Sequence, residues 1–418
     1  MLEDKIPPTE GNTEWFVHDR FGMFIHWGLY AMPARHEWVK SYEKIPENHY
    51  EKYFRYFDPD LFNPNEWAET AYRAGMRYFV ITTKHHEGFC LWDSAHTDFK
   101  ATNTAVGRDL LKEIVAAFRN RGMKIGLYHS LLDWHHHQYT PDVCHPYHED
   151  PAFLEQAKGR DMQAYVEYLH AQTRELLTNY GKIDILWYDF SVEEAGGFPA
   201  KGKAVWRSEE LIRMIRKLQP EIMINNRLDV PADMETPEQY QPREWVMLDG
   251  KPRVWEACQT FSGSWGYHRD EESWKSVEML VRMLIECVSK GGNLLLNVGP
   301  NARGRFDERA KRALDGMGEW MYLHKRSIYG CTQAPEEFGC PRDCRLTYHP
   351  KKKRLYIHIF SWPFKQLYFD NAAGKIQYAQ LLNDGSEIQI EEKDGTAVFS
   401  LPVKQPDVTI PVIELMLE

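Results

Sequence analysis

The sequence predicts an α/β protein: a (β/α)8-like barrel of the TIM type, expected to be irregular, followed by a small C-terminal antiparallel β-sandwich. Three observations carry this. Apolar strand-length runs alternate with helical patterns over the first three quarters of the chain, which implies parallel strands joined by helical crossovers. Polar residues cluster at the carboxyl end of nearly every predicted strand, where barrels of this kind build their sites. After about residue 330 the texture changes to short strand-like runs separated by turn residues such as Asn383-Asp384-Gly385 and Asp394-Gly395. The expected division is a barrel over 1–335 and a sandwich over 336–418.

The first strand is expected at 21–28. Asn63-Pro64 then supplies a cap and first-turn proline for a helix that Gly75 ends. Residues 78–86 form the second strand. Leu110, Leu111, Ile114, Val115 and Phe118 mark one helix face, which stops at Gly122. The third strand covers 124–130, and one long helix is expected over 153–180. The run Ile183-Asp184-Ile185-Leu186-Trp187-Tyr188-Asp189-Phe190 makes the fourth strand, at 184–190. A helix marked by Leu211, Ile212, Ile215 and Leu218 leads to a fifth at 221–227, with a weaker sixth at 254–260. Val277, Leu280, Leu284 and Val288 precede the seventh, at 293–300. No eighth strand is evident. In the sandwich, Lys351-Lys352-Lys353-Arg354 reads as a solvated hairpin turn.

A chain of 418 residues suffices for one large core and a smaller domain. Its 14 Trp, 22 Tyr and 20 Phe read on composition first as extra core mass and second as platforms for sugar C–H faces. The formal net charge of −10 argues against a nucleic-acid partner. No apolar stretch reaches the ~18 residues that span a membrane, and the start lacks an apolar signal core. Seven cysteines without paired spacing suggest free thiols in a reducing compartment, so a cytoplasmic location is expected, with a removed leader also compatible. A homo-oligomer is compatible with the sequence, which does not fix the assembly.

Asp189 ends an apolar run, and a carboxylate there is costly to desolvate unless something uses it. The other strand ends offer His26-Trp27-Gly28 with Glu37-Trp38 following, Lys84-His85-His86-Glu87, Tyr128-His129-Ser130, Asn225-Asn226-Arg227 and Trp255-Glu256. One pocket lined by His, Trp, Tyr, Arg and carboxylates accounts for them together. A metal is not expected: adjacent histidines on a strand face opposite ways, and His135-His136-His137 lies in a loop. Ser289-Lys290-Gly291-Gly292-Asn293 is not a phosphate-binding loop, and no cofactor is implied. What remains is neutral polar recognition, aromatic stacking and paired carboxylates, the equipment of a glycosidase. The partners of Asp189 to weigh are Glu235, Glu238 and Glu256. Glu238 is read in a loop after the fifth strand, and Glu256 on the sixth.

Phe24-Ile25-His26-Trp27-Gly28, Lys84-His85-His86-Glu87-Gly88-Phe89, Leu186-Trp187-Tyr188-Asp189, Ser264-Trp265-Gly266-Tyr267 and Lys290-Gly291-Gly292-Asn293-Leu294-Leu295-Leu296-Asn297, in this order, resemble the retaining α-L-fucosidases of glycoside hydrolase family 29. The resemblance spans roughly 14–330. It implies an exo-acting hydrolase that releases α-L-fucose from fucosylated oligosaccharides or glycoconjugates, with Asp189 as nucleophile. It further implies a fucose subsite of His26, Glu37, Trp38, His85, His86, Tyr128, His129, Arg227 and Trp265. The Thr236-Pro237-Glu238 match makes Glu238 the first choice for acid/base and Glu256 the second. Family members often carry Gly after the nucleophile, where this chain has Phe190. The competing readings are another retaining exo-glycosidase, such as an α-L-galactosidase, and a catalytically silent sugar-binding protein on the same scaffold.

Overall fold

The computed structural model describes all 418 residues. Its first layer is a seven-stranded parallel sheet. The strands are β1 (Phe21–Ile25), β2 (Tyr78–Lys84), β3 (Lys124–Ser130), β4 (Ile185–Asp189), β5 (Met223–Ile224), β6 (Glu256–Thr260) and β7 (Asn293–Val298). They run β5-β4-β3-β2-β1-β7-β6 around the barrel. All seven are almost wholly buried, as expected for strands covered on both faces.

Between β5 and β6 the barrel is closed by something less regular than a strand. Residues 234–238 form isolated parallel bridges to both neighbours, Asn225 with Met234 on one side, Glu235 with Trp255 and Glu238 with Cys258 on the other. Backbone bonds from Glu256 N to Glu235 O (3.0 Å) and from Cys258 N to Pro237 O (3.0 Å) hold it. Pro237 has no N–H to donate, so no continuous ladder forms. This is the eighth staff of the barrel. Glu238 therefore stands at its carboxyl end rather than in a free loop.

The crossovers are α1 (Pro64–Arg73), α2 (Leu110–Asn120), α3 (Met162–Asn179), α4 (Ser208–Leu218) and α5 (Val277–Val288), with α6 (Glu308–His324) closing the ring. Asn63 caps α1 by accepting from Asn65 N and Glu66 N, as its sequence predicts. The single helix expected over 153–180 is instead two, Pro151–Ala157 and α3, because Asp161 caps a new start by accepting from Gln163 N. The fifth strand is shorter than expected, since the chain turns into a 3-10 helix at Asn226–Leu228.

Inside the barrel, Phe24, Tyr78, Tyr128, Ile185, Trp187 and Leu295 form a small core of their own. Gly22 is required there, because a Cβ on it would lie 2.3 Å from the Tyr78 ring. The C-terminal part holds two antiparallel sheets. One contains Thr332–Gln333, Cys344–His349, Arg354–Ile359, Val412–Leu417 and Ile376–Leu381 in spatial order, and the other Gln366–Phe369, Thr396–Ser400 and Gln389–Lys393. They enclose a separate apolar cluster around Leu355, Phe369 and Phe399. The first sheet leans on α6, where Trp320 Nε1 donates to Ile410 O (2.9 Å). No helix of the protein is long and apolar enough to cross a membrane.

Candidate active site

At the carboxyl end of the barrel, His26, Trp38, His85, His86, Tyr128, Asp189, Glu238 and Trp265 line one pocket. Phe24, Trp187, Phe190 and Cys258 complete it. Strand alternation explains most of this: Phe24 and His26 share a face of the first strand and its extension, as do Trp187 and Asp189 of β4. Asp189 is read in the sequence from its place at the end of an apolar run, and alternation applied backward from it picks out Trp187.

His85 and His86 do not obey it. β2 ends at Lys84 and both histidines fall in the following turn, so they line the pocket together, ring centroids 3.9 Å apart. Gly88 makes that turn possible, with φ +88° and no room for a Cβ beside Asp133 Oδ1. Asp133 is itself fixed by the buried Lys84 (2.9 Å) and by the backbone N–H groups of His135 and His136. The histidine-rich loop is thereby tied to the pocket floor.

Burial holds the pocket histidines neutral. His26, whose Nδ1 lies 2.7 Å from Asn297 Oδ1, is pushed down to about 3, and His85 and His86 fall well below their ordinary range. His86 Nδ1 pairs with Ser130 Oγ (2.6 Å), whereas His85 Nδ1 has no partner in the protein. Neutral imidazoles both donate and accept, which suits uncharged hydroxyls.

Asp189 takes a hydrogen bond from Tyr128 Oη (2.9 Å) and one from Arg227 Nη1 (3.1 Å). Arg227 Nη2 donates to Glu238 Oε2 (2.8 Å), so one guanidinium holds both carboxylates. Its Nε is taken by Thr236 Oγ1 (2.9 Å) and its plane lies over Trp187. Burial pushes the Asp189 carboxyl up to about 6, against the Arg227 charge and the Tyr128 bond, while the Glu238 charge adds to the rise.

Three residues expected in the subsite, and the second-choice acid/base, stand elsewhere. His129 is on the outer face of β3, with Nδ1 2.9 Å from Thr83 Oγ1 and its ring near Trp92, because it alternates with Tyr128. Glu37 lies behind the wall and accepts from Trp265 N (3.1 Å) and Gly266 N (2.8 Å), fixing the segment that presents Trp265. Arg227 spends its donors on the carboxylates and Thr236 instead of lining the cavity. Glu256 begins β6 and so lies at the amino end of the barrel. It is fully buried and accepts from Tyr78 Oη (2.7 Å) and Trp187 Nε1 (3.2 Å). Glu235, also weighed as the partner of Asp189, accepts from Asn226 Nδ2 (2.7 Å) outside the pocket.

Residues 7–326 match the family model for Alpha-L-fucosidase. The chain belongs to the alpha-L-fucosidase family. Plasma alpha-L-fucosidase of Rattus norvegicus is 31% identical over 410 residues, covering 90% of this chain and 82% of that protein. The Homo sapiens plasma alpha-L-fucosidase is 31% identical over 380 residues, with 84% and 76% covered. Among solved structures, alpha-L-fucosidase isoenzyme 1 from Paenibacillus thiaminolyticus superposes with a TM-score of 0.91 at 44% identity, covering 97% of this chain and 98% of that one. A Bacteroides thetaiotaomicron alpha-L-fucosidase, 29% identical with a TM-score of 0.85 and covering 100% and 99%, was trapped as a covalent intermediate with 2-fluoro-fucosyl fluoride. The chain is thus a glycoside hydrolase on an irregular barrel with a C-terminal sandwich. The α-L-galactosidase and silent-lectin readings are not favoured.

Proposed function

We propose that this pocket releases terminal α-L-fucose from fucosylated oligosaccharides or glycoconjugates in two steps, with Asp189 as nucleophile and Glu238 as acid/base. The observation that carries the assignment is the shared guanidinium. Asp189 and Glu238 are the two carboxylates of the pocket, and Arg227 bonds both. The covalent intermediate trapped in the Bacteroides relative supports the two-step course.

In the first step Asp189 Oδ attacks the anomeric carbon while Glu238 gives its proton to the glycosidic oxygen. The carbon–oxygen bond breaks, and the aglycone leaves as an alcohol. In the second, Glu238 takes a proton from water, whose oxygen attacks the same carbon and expels Asp189 with net retention. Arg227 and Tyr128 keep Asp189 ionised and aimed. Glu238 is the better acid because its side chain is 38% exposed, within reach of a leaving group, whereas Glu256 is sealed. His26, His85 and His86 supply hydroxyl contacts as neutral rings. Phe24, Tyr128, Trp187 and Trp265 offer the apolar wall that a 6-deoxy sugar's methyl group needs.

The same reading takes 1–335 as the catalytic unit and 336–418 as a buttress, supported by the C-terminal part having an apolar cluster of its own while Tyr356, Leu382, Ile410 and Val412 pack into the barrel's cluster. It also takes the working environment as reducing and intracellular, supported by seven free cysteines. A fluorinated fucosyl fluoride tests the chemistry. Peptide mapping after inactivation should find the label on Asp189, and a label on any other carboxylate sinks the assignment.

A further inference from the structure

The pocket residues divide by exposure. His26, His85, His86 and Tyr128 are at most 4% exposed, whereas Trp38, Phe190 and Trp265 are half-buried and Glu238 is exposed, so these four mark the mouth. From one side of that mouth an aromatic path leads outward. The Phe190 ring packs on the Trp38 indole with centroids 5.5 Å apart. Trp38 stacks in turn on Tyr42, 5.9 Å away and inclined by 25°. Tyr42 is 68% exposed, among the most exposed large aromatics of the molecule.

Phe190 holds its position against a local cost. Its φ of +73° lies in the left-handed region, where a residue with a Cβ is disfavoured by ~1–2 kcal/mol. Glycine would adopt that backbone freely. A bulky ring kept under strain beside the proposed nucleophile points to a use for the ring.

A sugar held in a closed-end pocket sends its leaving group out through the mouth. We propose that Phe190, Trp38 and Tyr42 form a leaving-group subsite that stacks a flat-faced ring, a second pyranose or an aryl group. The inference rests on the reading that this pocket cleaves fucosides. An aromatic contact is worth ~0.5–1.5 kcal/mol, or roughly twofold to tenfold in kcat/KM.

The test compares 4-nitrophenyl α-L-fucoside with α-L-fucosyl fluoride, whose leaving group has no ring. For Tyr42→Ala and Phe190→Leu, the ratio of kcat/KM on the nitrophenyl substrate to that on the fluoride should fall roughly threefold to tenfold. Phe190→Gly relieves the backbone strain while removing the ring, and should show the same fall. An unchanged ratio overturns the inference, whether both substrates slow together or neither does. Wild-type protein inactive on both substrates would overturn the catalytic reading instead.

Discussion

At the amino end of the barrel, Glu256 is buried with no exposed surface, and both its oxygens are taken by donors, Tyr78 Oη and Trp187 Nε1. At the carboxyl end, Asp189 and Glu238 open onto a cavity and share one guanidinium. Trp187 touches both ends, donating to Glu256 while its ring lies beneath Arg227. Burial raises Glu256 to about 7 and Asp189 to about 6, so a displaced pKa does not distinguish them. Access does. Donors fill both oxygens of Asp189 as well, so what marks Glu256 as serving packing is a surface sealed from every cavity. A carboxylate that keeps a face toward a cavity, with a charged partner behind it, serves chemistry.

The largest effect that would break this contrast concerns Asp189. Asp189→Ala should lower kcat at least ~10³-fold, and near-wild-type turnover of nitrophenyl fucoside would remove the distinction between the ends. Next, Glu238→Ala should cost ~10²–10⁴-fold on substrates with poor leaving groups. Azide should rescue it on a good leaving group, giving a fucosyl azide. Glu256→Gln should stay within a few-fold of wild type, since the amide can still accept from Trp187 and meet the Tyr78 hydroxyl. Azide rescue of a Glu256 variant in place of the Glu238 variant would invert the comparison.

The pH dependence sharpens it. Asp189 must be ionised to attack, so kcat/KM should fall about tenfold per pH unit below about 6, as the folded-state value dictates. For Glu256 the consequence is stability. Its folded value, about 7, lies above its ordinary 4.5, so the folded state holds the extra proton. Its contribution is fully present below 4.5 and is lost as pH rises through about 7. Thermal melts should show Glu256→Gln gaining on wild type across that window, with no gain below it. The smallest effect belongs to Tyr78→Phe, which leaves Glu256 Oε2 without its donor and should cost ~1–3 kcal/mol of stability at unchanged kcat/KM.

Apolar strand-length runs alternating with helical patterns made the barrel legible in the sequence, and polar residues at the strand ends made much of the site legible. Those ends carry His26, Tyr128 and Asp189, and the structure brings the three into one pocket. The misplacements share a physical origin, because a pattern of side chains does not say where a hydrogen-bond ladder starts or stops. His85 and His86 share the pocket because β2 ends one residue before them. His129 follows Tyr128 directly, and one step along a strand reverses the face. Glu256, on the strand expected over 254–260, is the first residue of β6 and so lies at the end of the barrel away from the pocket. The eighth staff was invisible because Asp233, Glu235, Pro237 and Glu238 give it neither an apolar run nor a full set of N–H donors.

That irregular staff has a consequence for how the two carboxylates move. Amide hydrogens along β4 lie in a continuous ladder and should exchange only when the whole barrel opens. Those of 234–238 hang on isolated bridges and should exchange through local opening at lower free energy. The proposed nucleophile thus sits on the part of the molecule expected to open rarely, and the proposed acid/base on the part expected to open often. Such an arrangement would let one site meet leaving groups of different size.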